Sequence, residues 1–475
     1  MANKTASTVL IAFAVLLVSA FAALGTASRE PEQLEICRQK CRIQTVLDPS
    51  QRQSCYSKCL SREREGRRER EEEGHGQEEQ GEDSPFVFRP RHFLTAHSSD
   101  RGRLSILQKF SERSNLFLNI EPFRLGVLEV EPKTFALPNH IDADLICFIA
   151  NGRGIVNIIQ ENRRRIFNIT EGEIVVIPAG ATTYLINPDN DRKLVVVKLI
   201  RTISSPGRFE YFFGSMFLNA FSSSIREAAY KDAKKETLDR VLMRGQDQEP
   251  FLEISDQQLK SIVRQEEQDD VIGWPFLAAA DKSSKKRTIN IFEHKTISNR
   301  FGELFEIVND EFNDIQISFA NITDGGMLGP LFDTRGVKLM FVVEGEGQME
   351  MAVPSSQTDS SSRSGSSERG STTSPSFERI STRLFPGTVI VNPAGHPYVN
   401  VAERRSLKVL CFHINARNNE KVALTGKNNV FMKFDRIAED IAFGGSRKDV
   451  EQVFGSNSDY ELFFKGPREE RRAVE

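Results

Sequence analysis

The sequence predicts a chain dominated by β-structure, built from two tandem copies of one strand unit, each followed by a short helical extension. Three observations carry this. A frame occurs twice: Gly172, five residues and Pro178-Ala179-Gly180, then Gly387, five residues and Pro393-Ala394-Gly395, each leading into an apolar-rich strand. Short apolar runs punctuated by Gly turns fill the chain from Pro85 onward. Helical spacing of apolar residues appears only after each copy.

The elements follow in order. Lys4, an apolar run from Val9 to Leu24 and the small residues Gly25 to Ser28 have the layout of a secretory signal peptide over 1–28. The run is short for a membrane span, and no other stretch is apolar enough to cross a bilayer. Cys37, Cys41, Cys55 and Cys59 then form two C-x3-C pairs thirteen residues apart. In an oxidising compartment these read as two disulfides. The i, i+4 spacing puts each pair on one face of a helix, which predicts a cross-linked helical hairpin over 29–62. Zinc is the competing reading, weakened by the lack of His. Residues 63–84 are almost all Arg, Glu, Gly and Gln, the composition of a disordered linker.

The first copy, within 85–270, runs through Pro138, His140 and Asp144, a strand around Cys147, the turn Asn151-Gly152-Arg153-Gly154 and the Gly172 frame. The second, within 285–475, runs through Pro330, Phe332 and Asp333, a strand from Lys338 to Val343, the turn Glu344-Gly345-Glu346-Gly347 and the Gly387 frame. The turns are offset by 193 residues and the Pro-Ala-Gly motifs by 215, and the 22 extra residues fall in a Ser-rich stretch, 354–377. That stretch is expected to be an exposed disordered loop between two strands. Ser224-x-x-Glu227, Ser255-x-x-Gln258 and Ser446-x-x-Asp449 are capping boxes, and Phe434, Ile437 and Ile441 have helical spacing. Short helices with apolar stripes dock on something, either a neighbouring subunit or the flank of their own strand unit.

Composition excludes some classes. With 63 basic against 66 acidic residues, the net charge of −3 offers no field for nucleic acid. The 34 Phe against one Trp and six Tyr point to apolar cores rather than an aromatic binding face.

Asp142-Ala143-Asp144, Asn151-Gly152-Arg153-Gly154, Ile177-Pro178-Ala179-Gly180, Pro393-Ala394-Gly395-His396-Pro397, Ile414-Asn415-Ala416 and Gly426-Lys427-Asn428-Asn429 give residues 85–465 a strong resemblance to the vicilins, the 7S seed storage globulins of the cupin family. The resemblance implies two tandem jelly-roll β-barrels, no enzymatic activity, a homotrimer joined through the helical extensions, and delivery through the secretory pathway to the protein storage vacuole. The C-x3-C pairs resemble the α-hairpinin segments that precede some vicilins.

Enzymatic cupins hold a metal with three His and an acidic residue. Here the first copy offers His140 and Asp144 with Thr183 at the third His position, and the second has Phe332, Gly336 and Tyr398. Neither set holds a metal well, and His140 is expected as a hydrogen-bonded residue at the barrel mouth. A different set is suggested by a hairpin turning at Arg404-Arg405, which would set His396 opposite His413 and Tyr398 opposite Cys411. His396, Cys411 and His413 on one face suit copper, with Tyr398 as a further ligand and zinc as the alternative metal. The competing reading makes Cys411 a buried apolar residue and satisfies both His within the fold. Asn168 and Asn321 begin glycosylation sequons.

Three functions therefore compete: a nutrient reservoir, a metal-dependent redox or small-ligand-binding cupin with a stress or signalling role, and a precursor of an antimicrobial hairpin peptide.

Overall fold

The computed structural model describes residues 84–160, 163–243, 249–266, 288–307, 314–355 and 376–467. The expected signal peptide, the four-cysteine hairpin, the charged linker and most of the Ser-rich stretch lie outside these residues. The described residues belong to one compact unit spanning 80–475.

Two β-barrels share one plan. In the first, a seven-stranded sheet runs in the order Ile289–Asn290, Glu173–Ile177, Ala143–Asn151, Leu194–Thr202, Phe123–Val130, Gly102–Leu107, Phe93–Ser99. It faces a sheet running Tyr211–Phe213, Thr134–Ile141, Thr182–Asn187, Arg153–Gln160, Arg163–Thr170, with Phe251–Glu253 also on Thr134–Ile141. In the second, the order is Val87–Phe88, Val389–Asn392, Val337–Glu344, Leu407–Ile414, Gln316–Ile322, Gly302–Ile307, Lys295–Asn299. Its facing sheet runs Phe377–Leu384, Gly347–Pro354, Tyr398–Ala402, Gly326–Asp333, Lys421–Ala423, with Phe463–Lys465 on Gly326–Asp333. All recorded pairings between these strands are antiparallel.

The barrels exchange their leading strands. Val87 pairs with Ile390 and Phe88 with Val389 in the second barrel, although they precede the first copy in sequence. Reciprocally, Ile289 pairs with Ile174 and Asn290 with Glu173 in the first. The expected boundaries at 85–270 and 285–475 are therefore interleaved, because each leading strand covers the free edge of the other barrel's large sheet.

This arrangement explains why residues 145–150, within the strand Ala143–Asn151, read as an unbroken apolar run. Alternate residues face opposite sides of a strand. Leu145, Cys147 and Ile149 enter the core of the first barrel, while Ile146 and Phe148 join the core shared with the second. Phe148 stacks on Phe319 of the second barrel, with ring centres 5.7 Å apart. Burying both faces leaves no polar alternation to read.

The repeated Gly turns have a steric cause. Gly345 has φ +91°, and a Cβ there would lie 2.0 Å from the Ser406 carbonyl oxygen. Only glycine fits both conditions. The Ser-rich stretch does interrupt two paired strands, with Pro354 opposite Phe377. In the first barrel the equivalent pairing closes with Gln160 opposite Arg163.

Two expected capping boxes are present: Ser255 with Gln258 before Asp256–Glu266, and Ser446 with Asp449 before Arg447–Phe454. Ser224 is not a cap. Ser222 accepts from the Ile225 amide and starts Ser223–Ala229, placing Ser224 inside the helix. Phe434 also precedes its helix, Arg436–Ala442, and packs against Phe431 and Phe443.

Candidate functional site

The second barrel holds a buried polar network where the two facing sheets approach. Lys338, on one sheet, forms an ion pair with Asp333 on the other, and their side chains are 2% and 4% exposed. The Lys338 ammonium also donates to the Tyr398 hydroxyl and lies 4.4 Å from the centre of that ring. Asn419 Nδ2 donates to Asp333 Oδ1 at 3.1 Å. His413 Nδ1 lies 3.6 Å from Asp333 Oδ1, and its Nε2 is 2.9 Å from Ser318 Oγ.

The electrostatics fix the charge states. Burial alone would raise the Asp333 carboxyl, but Lys338, with Lys421 further off, holds it well below the usual carboxylate range. Burial, reinforced by Lys338, drives the His413 imidazole well below its usual value, so it is neutral. Burial pushes the Tyr398 phenol up, and the Cys411 thiol up to about 11. The network is one carboxylate and one ammonium surrounded by neutral donors and acceptors.

This geometry replaces the hairpin expected between the strands holding His396 and His413. Tyr398–Ala402 pairs with Gly326–Asp333 and Gly347–Pro354, whereas Leu407–Ile414 pairs with Gln316–Ile322 and Val337–Glu344. The two strands belong to different sheets, because the turn at Arg404-Arg405 crosses between layers. Cys411 sits opposite Ser318 and Met340, and His413 opposite Gln316 and Lys338. His396 lies in the preceding loop, its Nδ1 3.1 Å from the Ala394 carbonyl and its ring 6.3 Å from that of Phe86.

The donors do not fit copper or zinc as the expected hairpin would have arranged them. His396 does not share a hairpin face with Cys411 and His413, His413 Nε2 is engaged by Ser318, and the Lys338 ammonium next to His413 opposes a further cation. Among the described residues no three His, Cys, Asp or Glu side chains gather into a metal-binding group.

The cupin-like positions are also shifted by one residue. His140 faces outward, stacked on Phe212 at 4.7 Å with Phe217 edge-on at 5.2 Å, and is not a hydrogen-bonded mouth residue. Its neighbours Asn139 and Ile141 point inward. In the second barrel Leu331 and Asp333 point inward in place of Phe332. A register shift between Leu328 and Leu331, matched by one between Thr183 and Leu185, turns the strand over. Asp144 Oδ1 accepts from the Ala179 amide, a structural bond within the Gly172 frame.

Matching the two sheet registers exposes what differs inside the barrels. Lys198 pairs across the sheet with Cys147 and Gly126, and at the same place in the second barrel Cys411 pairs with Met340 and Ser318. Tyr211 lies opposite Ile141 where Lys421 lies opposite Asp333. The first barrel thus has apolar Ile141, Leu145 and Ile200 where the second has Asp333, Lys338 and His413. It encloses a cavity of about 70 Å³ lined by side chains that include Lys198, Tyr211, Asn139 and Cys147. Burial lowers the Lys198 ammonium below its usual range and raises the Tyr211 phenol well above its own. Lysines within apolar strands, at Val195-Val196-Val197-Lys198 and Val337-Lys338-Leu339, were the sequence signals for both interiors.

Of the sequons, Asn168 is exposed on the edge strand Arg163–Thr170, whereas Asn321 is half-buried within Gln316–Ile322.

Comparison with known proteins supplies the family. A model described as Cupin matches residues 289–450. A vicilin of Juglans regia is 38% identical, covering 95% of this chain and 94% of its own length. The crystal structure of vicilin from Corylus avellana superposes with a TM-score of 0.69 at 36% identity, covering 81% of this chain and all of that one. A vicilin from Solanum melongena, described as holding different anionic ligands in structurally similar pockets, gives a TM-score of 0.71 at 27% identity, covering 81% of this chain and 98% of that one. With two barrels of one plan, and with identity sustained over nearly the whole chain, this protein belongs to the vicilin family of 7S globulins.

Proposed function

We propose that this protein is a seed nutrient reservoir that performs no catalysis. The observation that carries this reading is the vicilin identity sustained across both barrels. The buried groups of the second barrel support it, since Lys338 pairs with Asp333 and Tyr398, and His413 is bonded to Ser318. The mechanism is tight packing followed by timed proteolysis, with the charged linker and the Ser-rich stretch as the first cuts. Entry into the secretory pathway rests on the expected signal peptide, and delivery to the storage vacuole on the likeness to the vicilins.

Assembly as a homotrimer through the helical extensions belongs to the same reading. Ile437 and Ile441 on Arg436–Ala442 are 71% and 81% exposed, and Phe221 and Ile225 near Ser223–Ala229 are 51% and 56% exposed. Apolar residues at that exposure call for a partner surface. Following the protein in seeds through maturation and germination tests the reading. Accumulation to high abundance, then cleavage at the linker and loss during germination, is expected; a constant low level throughout would overturn it.

A small-ligand reading is favoured for the first barrel, because its cavity holds Lys198 without a carboxylate partner among the described residues. The hairpin-peptide reading rests on the C-x3-C pairs alone, and assay of the isolated 29–62 peptide against microbes tests it. Glycosylation is proposed at Asn168 rather than at half-buried Asn321, with mass analysis of the glycopeptides as its test.

A further inference from the structure

Among the described residues three lysines enter the barrel interiors, and two of them have carboxylates. Lys338 pairs with Asp333 and Lys421 with Glu306. Lys198 is different. It is 9% exposed, it lines an apolar cavity, and no carboxylate or carbonyl among the described residues pairs with it. Its recorded neighbours are the Tyr211 ring, 5.9 Å away, and the Cys147 thiol across the sheet. The Tyr211 hydroxyl is itself buried without a hydrogen-bond partner. An amine and a phenol, both unpaired, therefore share a small apolar chamber.

An amine held this way is shifted toward its nucleophilic free base, since an unpaired ammonium in apolar surroundings is disfavoured. Burial lowers Lys198 toward the free base and leaves Tyr211 protonated as a donor. The thiol of Cys147 is also kept neutral by burial and supplies no counter-charge. Leu128, Val156 and Ile177 contribute only apolar surface.

The geometry points to the first barrel as a covalent acceptor site for small aliphatic aldehydes, with Lys198 as the residue modified. This rests on the small-ligand reading above and names its chemistry. The Lys198 Nζ lone pair forms a bond to the carbonyl carbon while the Tyr211 hydroxyl donates a hydrogen bond to the carbonyl oxygen. Nitrogen loses its protons, the oxygen gains them and leaves as water, and a C=N bond remains. Aldehyde and amine give imine and water, with no oxidant or reductant required. Size limits the substrate. A cavity near 150 Å³ accepts benzene, so about 70 Å³ suits an aldehyde of three or four heavy atoms such as propanal.

The test incubates the full chain with limiting propanal near neutral pH, traps the imine with borohydride and maps modified lysines by peptide mass spectrometry. Unfolded protein treated identically shows that the Lys198 peptide is detectable. Preferential propylation of Lys198 over surface lysines is expected in the folded protein alone. Lys198→Met should abolish that adduct with its thermal melt retained, and Tyr211→Phe should slow the labelling several-fold. Equal labelling of surface lysines and Lys198, or none at Lys198, overturns the proposal. Calorimetry with propionate separates the two ways of failing. Propionate binding without an adduct would leave a non-covalent ligand site and sink only the covalent step, whereas neither would remove the small-ligand reading as well.

Discussion

Lys338 and Asp333 bridge the two sheets of the second barrel as an ion pair that is almost wholly withdrawn from water. Removing one partner leaves the other charged and uncompensated, at a cost of about 3–5 kcal/mol. Asp333→Asn is therefore expected to lower the urea midpoint substantially. The double variant Asp333→Leu, Lys338→Met should recover most of that loss, because the first barrel carries Ile141 and Leu145 at the equivalent positions. Equilibrium unfolding of the three proteins checks both statements.

Acid should weaken this barrel in two stages. His413 is held neutral in the fold, with its pKa well below the usual value, so protonation of the unfolded chain removes stability as pH falls through about 6.5. Asp333 is held below its usual value, so its contribution is full above about pH 4 and is lost as pH falls further. Each stage contributes up to about 1.4 kcal/mol per pH unit. His413→Gln should flatten the stability profile between pH 6.5 and 4.5 and leave the steeper acid limb. An unchanged profile would show that His413 is not the group responsible.

Copper should not co-purify in stoichiometric amount. Elemental analysis of protein prepared without chelators or added metals is expected to give well under one copper or zinc per chain. Cys411→Ser should leave that value unaltered. One equivalent lost on that substitution would require His396, Cys411 and His413 to rearrange from the positions described.

The helical extensions should carry assembly. Ile437→Glu with Ile441→Glu places charges where two of the most exposed apolar side chains stand, and is expected to convert a trimer to monomer in light-scattering chromatography. The fold of the monomer should be retained, since neither side chain is buried within the chain.

Strand exchange predicts a coupling between the barrels. Phe88 is fully buried beside Phe110, with ring centres 5.5 Å apart, while its backbone pairs with Val389. Phe88→Ala should cost about 3–5 kcal/mol. It should lower protection from hydrogen exchange on Val389–Asn392, some three hundred residues away in sequence but adjacent in the sheet.

Much of the architecture was legible from local chemistry. The Gly, five residues, Pro-Ala-Gly frame, the paired turns at Gly152 and Gly345, and the two reciprocal capping boxes are short-range features whose residues meet their own steric and hydrogen-bonding needs. The interior was less legible. The expected hairpin failed because two strands adjacent in sequence join different sheets, and the cupin-like positions slipped by one because a register shift inverts a strand's faces.

By itself, then, the sequence determined the two strand units, their family and the helices that follow them, since periodicity, turn chemistry and capping depend on neighbours a few residues apart. Only the tertiary structure decided which strand covers which edge, and which lysine finds a carboxylate. Lys198 and Lys338 look alike in sequence, each a lysine with apolar residues on both sides of it. What separates them is Asp333 on a facing sheet, a partner fixed by long-range packing that no local pattern encodes.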